Sequence, residues 1–564
     1  MHDGTRTPQE RLTDPDGLFP LTTRVVDGVE YEVFDRDPLT LRDAFLATRA
    51  HGGADAVVYR DERWTFDEQW LEVVTLAHSF RNTLEIGHGD RVAIAMRNYP
   101  EWIFSFWALQ LLGAVVVPLN AWLKPAELQG LIDQARPSVL IADAERLVQT
   151  GEINLDALGV RRVVAVRSQT LPEGVIDYAD LIANPGTTEP PEQSVDPLDP
   201  ATILFTSGTT GSPKAAVGSH LNHSASLLNK LIRAVRFPAD GSAPQMPSPG
   251  VKLVSFPFFH IAGVNTLYTS SYPGHRMVLL HKWDPEEAVR LVAAEGVTEL
   301  SGAPYMIQTF LDTALASDHD LSSLKSLGLG GASIPPHLIE RVHRQFEGAV
   351  SARTGYGLTE TTSGVVAIGG PDWVKRPDSV GRALPTVEVG IVDDRLVRVL
   401  NGKEGEIILR GPQVITGYLR DASAESFTEG WFRTGDLGRL DDEGYLYISG
   451  RLKDVVIRGG ENINCAEVEA CLTSHPDVVE AAAFGIAHPT LGEELAAIVR
   501  VHPGADLGAD ILRAHVASQL AAFKVPARMV TTSAALPRTA SGKIVKNDIA
   551  RQMDFEAAFA SSTV

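Results

Sequence analysis

The run Thr206-Ser207-Gly208-Thr209-Thr210-Gly211-Ser212-Pro213-Lys214 combines hydroxyls, glycines and a terminal cation. Glycines let backbone approach a phosphate, amides and hydroxyls donate hydrogen bonds to its oxygens, and a lysine supplies charge. The spacing is not that of the P-loop, in which Gly-Lys-Ser/Thr closes a loop after four variable residues, so it points to a polyphosphate cradle of another kind. Gly355-Tyr356-Gly357-Leu358-Thr359-Glu360 places an aromatic face, a hydroxyl and a carboxylate together, suited to base stacking, phosphate contact and Mg²⁺ ligation. Trp431-Phe432-Arg433-Thr434-Gly435-Asp436 ends in a carboxylate able to accept both hydroxyls of a ribose. Gly450-Arg451-Leu452-Lys453-Asp454 with Arg458-Gly459-Gly460-Glu461-Asn462, and then Pro537-Arg538-Thr539-Ala540-Ser541-Gly542-Lys543, complete the series.

Each motif alone is weak. Taken together in this order, they resemble the AMP-forming adenylating enzymes, which comprise acyl- and aryl-CoA synthetases, adenylation domains of peptide synthetases, and luciferases. The resemblance runs from about residue 40 to about residue 550. It implies ATP, Mg²⁺ and CoA as cofactors and a small-molecule carboxylic acid as substrate. By resemblance Lys543 contacts the substrate carboxylate and the α-phosphate, neutralising charge as two anions are brought together. Glu360 holds Mg²⁺. Thr206, Ser207, Gly208, Thr209, Thr210, Gly211, Lys214 and Thr359 serve the phosphates, Asp436 and Arg451 the ribose, and Gly331, Ala332 and Ser333 with Gly355, Tyr356 and Gly357 the adenine. Arg458, Gly459, Gly460 and Glu461 form the face presented to CoA. Lys453 is the hinge about which the family's small domain rotates between half-reactions. Phe256-Pro257-Phe258-Phe259-His260 is similar to the family's aromatic-histidine motif beside the acyl pocket, where His260 either assists thiol attack or gates the pocket. One departure is Lys214-Ala215-Ala216, where the family usually has glycine after the lysine.

Alternating elements are needed to position these loops. Arg276 to His281 reads as a strand, and Asp284-Pro285-Glu286-Glu287 supplies an N-cap, a proline at the first helical position and a glutamate at the third, opening a helix through Ala294. Val297 to Ser301 and Lys325 to Leu329 read as strands, a helix over 335–346 follows, and Ala349 to Arg353 leads into the Gly355 motif. This β-α order predicts parallel sheets with ligand loops at the strand ends. Shorter glycine-punctuated strands from about residue 386, such as Val387 to Ile391, form a small β-subdomain over 386–450. The fold class expected is α/β. Residues 36–452 make a large adenylate-forming domain with doubly wound sheets. Residues 453–564 make a small mobile α+β lid, with helices near 466–474 and 508–521 and strands near 478–486 and 493–502. Residues 1–35 form an N-terminal extension with no assigned role.

The 564 residues hold 50 Lys plus Arg against 71 Asp plus Glu, a net charge of −21, which argues against nucleic acid or an anionic membrane as partner. Trp102 to Val117 is the most apolar run, but it contains Gln110 and Gly113, ends at Pro118 and falls short of the ~20 residues that a membrane span needs. It reads as a buried helix passing into a strand, and no transmembrane segment is expected. Two cysteines, Cys465 and Cys471, give no disulfide framework. With an acidic N-terminus lacking an apolar stretch, they point to the cytoplasm. A homodimer is left open. His220-x-x-His223 is read as structural, behind a helix cap at Ser219, not as a metal site.

The residues after His260 are Ile261-Ala262-Gly263, without the aspartate by which amino-acid-activating relatives bind an ammonium. Small residues at Ala262, Gly263, Gly331, Ala332, Ser363 and Gly364, with Gly357, would leave a roomy apolar pocket for a medium to long or polycyclic acid. An acyl-CoA synthetase is therefore the expected function. The alternatives are an amide-forming synthetase that passes the adenylate to an amine, an enzyme of the thioester-forming half-reaction only, and a binding module without turnover.

Overall fold

A computed structural model describes residues 10–206, 213–237, 243–332, 334, 336–420, 424–458, 461–502, 504–505, 507–539, 543–546 and 549. Ser207, Gly208, Thr209, Thr210, Gly211, Ser333, Gly459 and Gly460, expected in the site, lie outside them. The fold is α/β, with a large N-terminal domain and a smaller C-terminal domain.

A seven-stranded sheet carries the first phosphate motif. Its parallel strands Arg91–Ala95, Val115–Pro118, Val139–Asp143 and Arg162–Val166 alternate between two cores. Val92, Ile94, Val116 and Ile141 pack with Trp102, Phe106 and Trp107 on one face. Ala93, Ala95, Val115 and Val117 meet Leu128, Leu131 and Ile132 of the helix Pro125–Ala135 on the other. Burial on both faces explains the continuous apolar runs of these strands. The run from Trp102 divides as expected into the buried helix Pro100–Leu111 and the strand Val115–Pro118.

A nine-stranded sheet is the second platform. Val251–Val254, Glu299–Gly302, Ser326–Leu329 and Ser351–Leu358 run parallel at its centre. Helix Pro285–Glu295 opens at Asp284, whose carboxylate accepts from the Glu286 and Glu287 amides. Helices Pro285–Glu295, Pro304–Leu315 and Pro336–Gln345 cover one face, burying Leu253, Leu300 and Leu327. Helices His220–Ala234 and Ile261–Ser271 lie on the other.

Antiparallel strands between Glu388 and Arg451 form a five-stranded sheet, and a further one, built from strands within 455–532, packs on helices Cys465–Thr473 and Ala509–Gln519. The N-terminal extension forms an antiparallel hairpin, Leu21–Val26 with Val29–Phe34. Val26 and Val33 pack on Leu221, and the Glu30 carbonyl accepts from Arg410 Nη2 at 2.8 Å.

Candidate active site

The antiparallel pairing of Pro200–Thr206 with Lys214–Ser219 sets Thr206 opposite Lys214, so the strand ladder closes at the mouth of the phosphate loop. The Lys214 ammonium lies 4.9 Å from the Tyr418 ring centroid. The Tyr418 hydroxyl donates to Glu360 Oε1 at 2.8 Å. Glu360 is buried, begins no ion pair among the described residues, and sits in the short turn Thr359–Thr361 after the strand bearing Tyr356. A buried carboxylate with one neutral hydrogen-bond donor and no ion pair among the described residues fits a divalent ion. Since no cluster of three ligating side chains occurs among the described residues, Mg²⁺ there would take its remaining ligands from phosphate oxygens and water.

Tyr356 and Arg451 converge on one carboxylate. The Tyr356 hydroxyl donates to Asp436 Oδ2 at 2.6 Å, and Arg451 Nε donates to Asp436 Oδ1 at 2.7 Å. Antiparallel pairing places Asp436 opposite Arg451. Burial, then the Asp436 charge, holds the Tyr356 phenol well above its ordinary value, so it stays a donor.

Lys543 comes from the far end of the chain to this cluster. Thr539 holds its backbone: the Thr539 amide donates to the Lys543 carbonyl at 2.8 Å, and the Lys543 amide donates to Thr539 Oγ1 at 3.1 Å. Burial lowers the Lys543 ammonium below its ordinary value and Arg451 adds repulsion, while Asp436 and Glu360 oppose both. The neighbouring Arg538 guanidinium stacks 4.8 Å from the Tyr305 ring centroid and is ion-paired to Glu480.

His260 caps the helix Ile261–Ser271 through Nδ1, which accepts from the Ala262 amide at 3.2 Å. Burial, aided by the Lys543 charge, pushes its pKa down to about 4. The ring is therefore neutral near pH 7, with its proton on Nε2. Asn98 fixes the preceding turn: its amide nitrogen donates to the Phe256 carbonyl at 3.0 Å, and its oxygen accepts from the Phe258 amide at 2.9 Å. Beside this turn opens a small cleft, lined by Arg97, Trp122, Phe259, Lys282 and Tyr305 among others.

Two of the small residues expected to hollow the acyl pocket do something else. Gly263 is buried, and a Cβ there would collide with the Pro257 carbonyl oxygen, so glycine lets the helix seat on the Phe256–His260 turn. Gly357 is exposed, yet a Cβ would strike the Ser363 carbonyl at a register shift between its strand and Ser363–Gly369. Gly331 does open space: it has φ +81°, and its missing Cβ would lie 4.0 Å from Phe256. Ala332 is exposed beside it, and Ala262 is partly accessible. Gly355 lies at a tight crossing with the Val366 carbonyl.

Arg458 and Glu461 face each other across the ends of the hairpin Val455–Arg458 with Glu461–Asn464. No hydrogen bond or ion pair joins them to the Lys543 group among the described residues. Lys453 is exposed in the turn Leu452–Asp454 that links the two five-stranded sheets. His220 and His223 are buried and engaged locally: His220 Nδ1 accepts from the Leu41 amide at 3.1 Å, and His223 Nε2 lies 2.8 Å from Thr202 Oγ1. Tyr418, Asn98 and Tyr305 are partners that no spacing in the sequence announces.

A parallel-sheet scaffold whose strand-end loops gather a lysine at the phosphate loop, a buried carboxylate, a tyrosine–aspartate–arginine set and a lysine from the C-terminal domain is the arrangement of an adenylate-forming site. Residues 45–419 match the AMP-binding enzyme family and residues 467–543 its C-terminal domain, and the chain belongs to this family. It is 33% identical over 481 residues to an indoleacetate–CoA ligase of Aromatoleum aromaticum, covering 85% of this chain and 91% of the relative. The anthranilate CoA ligase solved in complex with anthranoyl-AMP superposes with a TM-score of 0.83 at 25% identity, over 93% of this chain and 99% of that one. An amide bond synthetase from Marinactinospora thermotolerans superposes with a TM-score of 0.79 at 26% identity, over 91% and 99%.

Proposed function

We propose that this chain is an AMP-forming acyl-CoA synthetase acting on a carboxylic acid with an apolar body. The observation that carries the reading is the convergence of Lys543 with Asp436, Arg451, Glu360 and His260, groups drawn from both domains. In the first half-reaction a carboxylate oxygen attacks the α-phosphorus of ATP, the P–O bond to the β-phosphate breaks and pyrophosphate leaves. Lys543 offsets the charge that accumulates as the two anions meet. Asp436 and Arg451 hold the ribose, Tyr356 and Gly331 border the base, and Lys214 and Thr359 face the phosphates. Magnesium, when bound at Glu360, offsets phosphate charge.

In the second half-reaction the CoA thiol attacks the acyl carbonyl and AMP leaves with the C–O electron pair. The cleft bounded by Arg97, Lys282 and Trp122 reaches Phe259, next to His260, and supports this route for CoA. The reading includes rotation of residues 453–564 about Lys453, which withdraws Lys543 and brings the Arg458–Glu461 turn toward the site. It places the enzyme in the cytoplasm, in accord with two free buried cysteines.

ATP–pyrophosphate exchange across fatty, aromatic and polycyclic acids, with products analysed with and without CoA, tests the proposal. Exchange plus a CoA thioester is expected. Exchange whose adenylate goes only to an amine makes the chain an amide-forming synthetase, and absence of exchange with every acid rejects the adenylating role.

A further inference from the structure

The helix-covered faces of the nine-stranded sheet are unlike. Toward helices Pro285–Glu295, Pro304–Leu315 and Pro336–Gln345 it presents Leu253, Leu300 and Leu327. The opposite face, at the same strands, carries Lys252, Glu299, Ser301, Ser326 and Arg353. Register puts Lys252 and Ser326 beside Glu299, and Ser301 and Arg353 beside Gly328. Central parallel strands are ordinarily apolar on both faces, so this polar floor has a cause other than folding.

The floor is overwhelmingly cationic. Lys252 Nζ lies 3.7 Å and Arg353 Nη2 3.1 Å from the same oxygen of Glu299. Lys230, one helix over, reaches Ser363 Oγ at 3.4 Å, and Arg233 follows it by one turn without an ion pair among the described residues. Two cations thus share one carboxylate, and Lys230 and Arg233 add to the local positive potential, since Lys252, Arg353 and Arg233 all act on Lys230. Burial, and then repulsion by Lys252, Arg353 and Arg233, pushes the Lys230 ammonium down to about 7. His275, which faces the same group, is held neutral near pH 7, its pKa pushed down to about 4 by burial first and Lys252 next. Yet the side chains of Lys252, Glu299 and Arg353 remain 18%, 29% and 43% accessible. Groups that are desolvated and still accessible line a hollow, neither packed core nor open surface.

Neighbouring elements run from this floor toward His260. Helix Ile261–Ser271 starts at His260 and runs back along the strands, and its accessible residues Ala262 and Thr266 lie one turn apart on an otherwise buried helix. Ser363, which Lys230 touches, pairs with the strand of Gly357 and Tyr356. Ser301 is exposed within the sheet, two residues beyond Glu299 on the same strand. Lys252 stands four residues before Phe256, ~13 Å along an extended strand, and its side chain shortens the gap.

We propose that this floor is the inner end of the acyl pocket and binds an anion, so that the acid activated here carries a second carboxylate roughly 10 Å from the reacting one, with an apolar body between them. The inference rests on the adenylating reading above and names its substrate class. Partly desolvated cations that outnumber their carboxylate are relieved by a charge-assisted pair with a ligand carboxylate.

The test compares nonanoate, azelate and monomethyl azelate in pyrophosphate exchange. Azelate should exceed both others by about tenfold or more in kcat/KM, as expected for a charge-assisted contact made by only one of them. Arg353→Gln and Lys252→Met should erase that preference while leaving nonanoate turnover within a few-fold, and Glu299→Gln should enlarge it. Nonanoate or the monoester matching azelate overturns the proposal, as does a preference that survives both cation variants. If no acid supports exchange, the adenylating reading falls on its own. Calorimetric titration of the full chain with azelate and nonanoate then decides the anion floor, and equal binding overturns it.

Discussion

Replacing Lys543 with alanine separates chemistry from folding. The lysine is fixed by backbone contacts with Thr539 that alanine keeps, and its side chain makes no salt bridge among the described residues. Burial and Arg451 destabilise its ammonium more than Asp436 and Glu360 favour it, since its pKa lies below the ordinary value. Removing it therefore costs the fold little, and the thermal midpoint should stay within a degree or two. The transition state loses its charge: one preorganised donor at a developing anion is worth about 10²–10³ in rate, ~3–4 kcal/mol. Pyrophosphate exchange should fall by that factor, while thioester formation from a supplied acyl-adenylate persists. Exchange within tenfold of the parent, or equal loss in both half-reactions, would refute the assignment of Lys543.

Glu360→Gln keeps the Tyr418 contact but removes the charge, so the Mg²⁺ concentration for half-maximal exchange should rise about tenfold or more with unchanged thermal stability. Gly263→Ala drives a methyl into the Pro257 carbonyl and should cost about 1–3 kcal/mol, read as a lower denaturation midpoint. His220 and His223 titrate in the fold near 4 and 3, below the ordinary 6.5, because burial disfavours the imidazolium. The unfolded chain thus binds more protons between pH 6.5 and about 4. Stability from these residues is full above pH 6.5 and lost as pH falls through that window, by roughly 3 kcal/mol each. Unfolding in urea from pH 7 to 4 should show it, and His223→Gln should flatten the slope.

Local chemistry was legible in the sequence. Asp284-Pro285 opened its helix and Ser219 capped another because a cap needs only near neighbours. The order of strands and helices around residues 276–353 followed from alternation, and the five motifs pointed to the family. Side-chain partners across the fold were not legible. Tyr356 and Asp436 stand 80 residues apart, and Tyr418 reaches Glu360 across 58. The close approach of Gly263 to the Pro257 carbonyl was not legible, because composition does not distinguish a residue kept small for a ligand from one kept small for a neighbouring carbonyl. The cations at Lys252 and Arg353 were silent for a related reason: each sits alone in its own strand, and only strand register assembles them.

The two-faced sheet also bears on how such an enzyme changes over generations. Leucines on one face carry cohesion, while the residues opposite them, at Lys252, Glu299, Ser301, Ser326 and Arg353, contribute little apolar burial. Inheritance can therefore rewrite the second set with little threat to folding, and the adenylating machinery at the strand ends is left untouched. A lineage built on this sheet can trade one acid for another by single substitutions, each intermediate remaining a stable, working ligase.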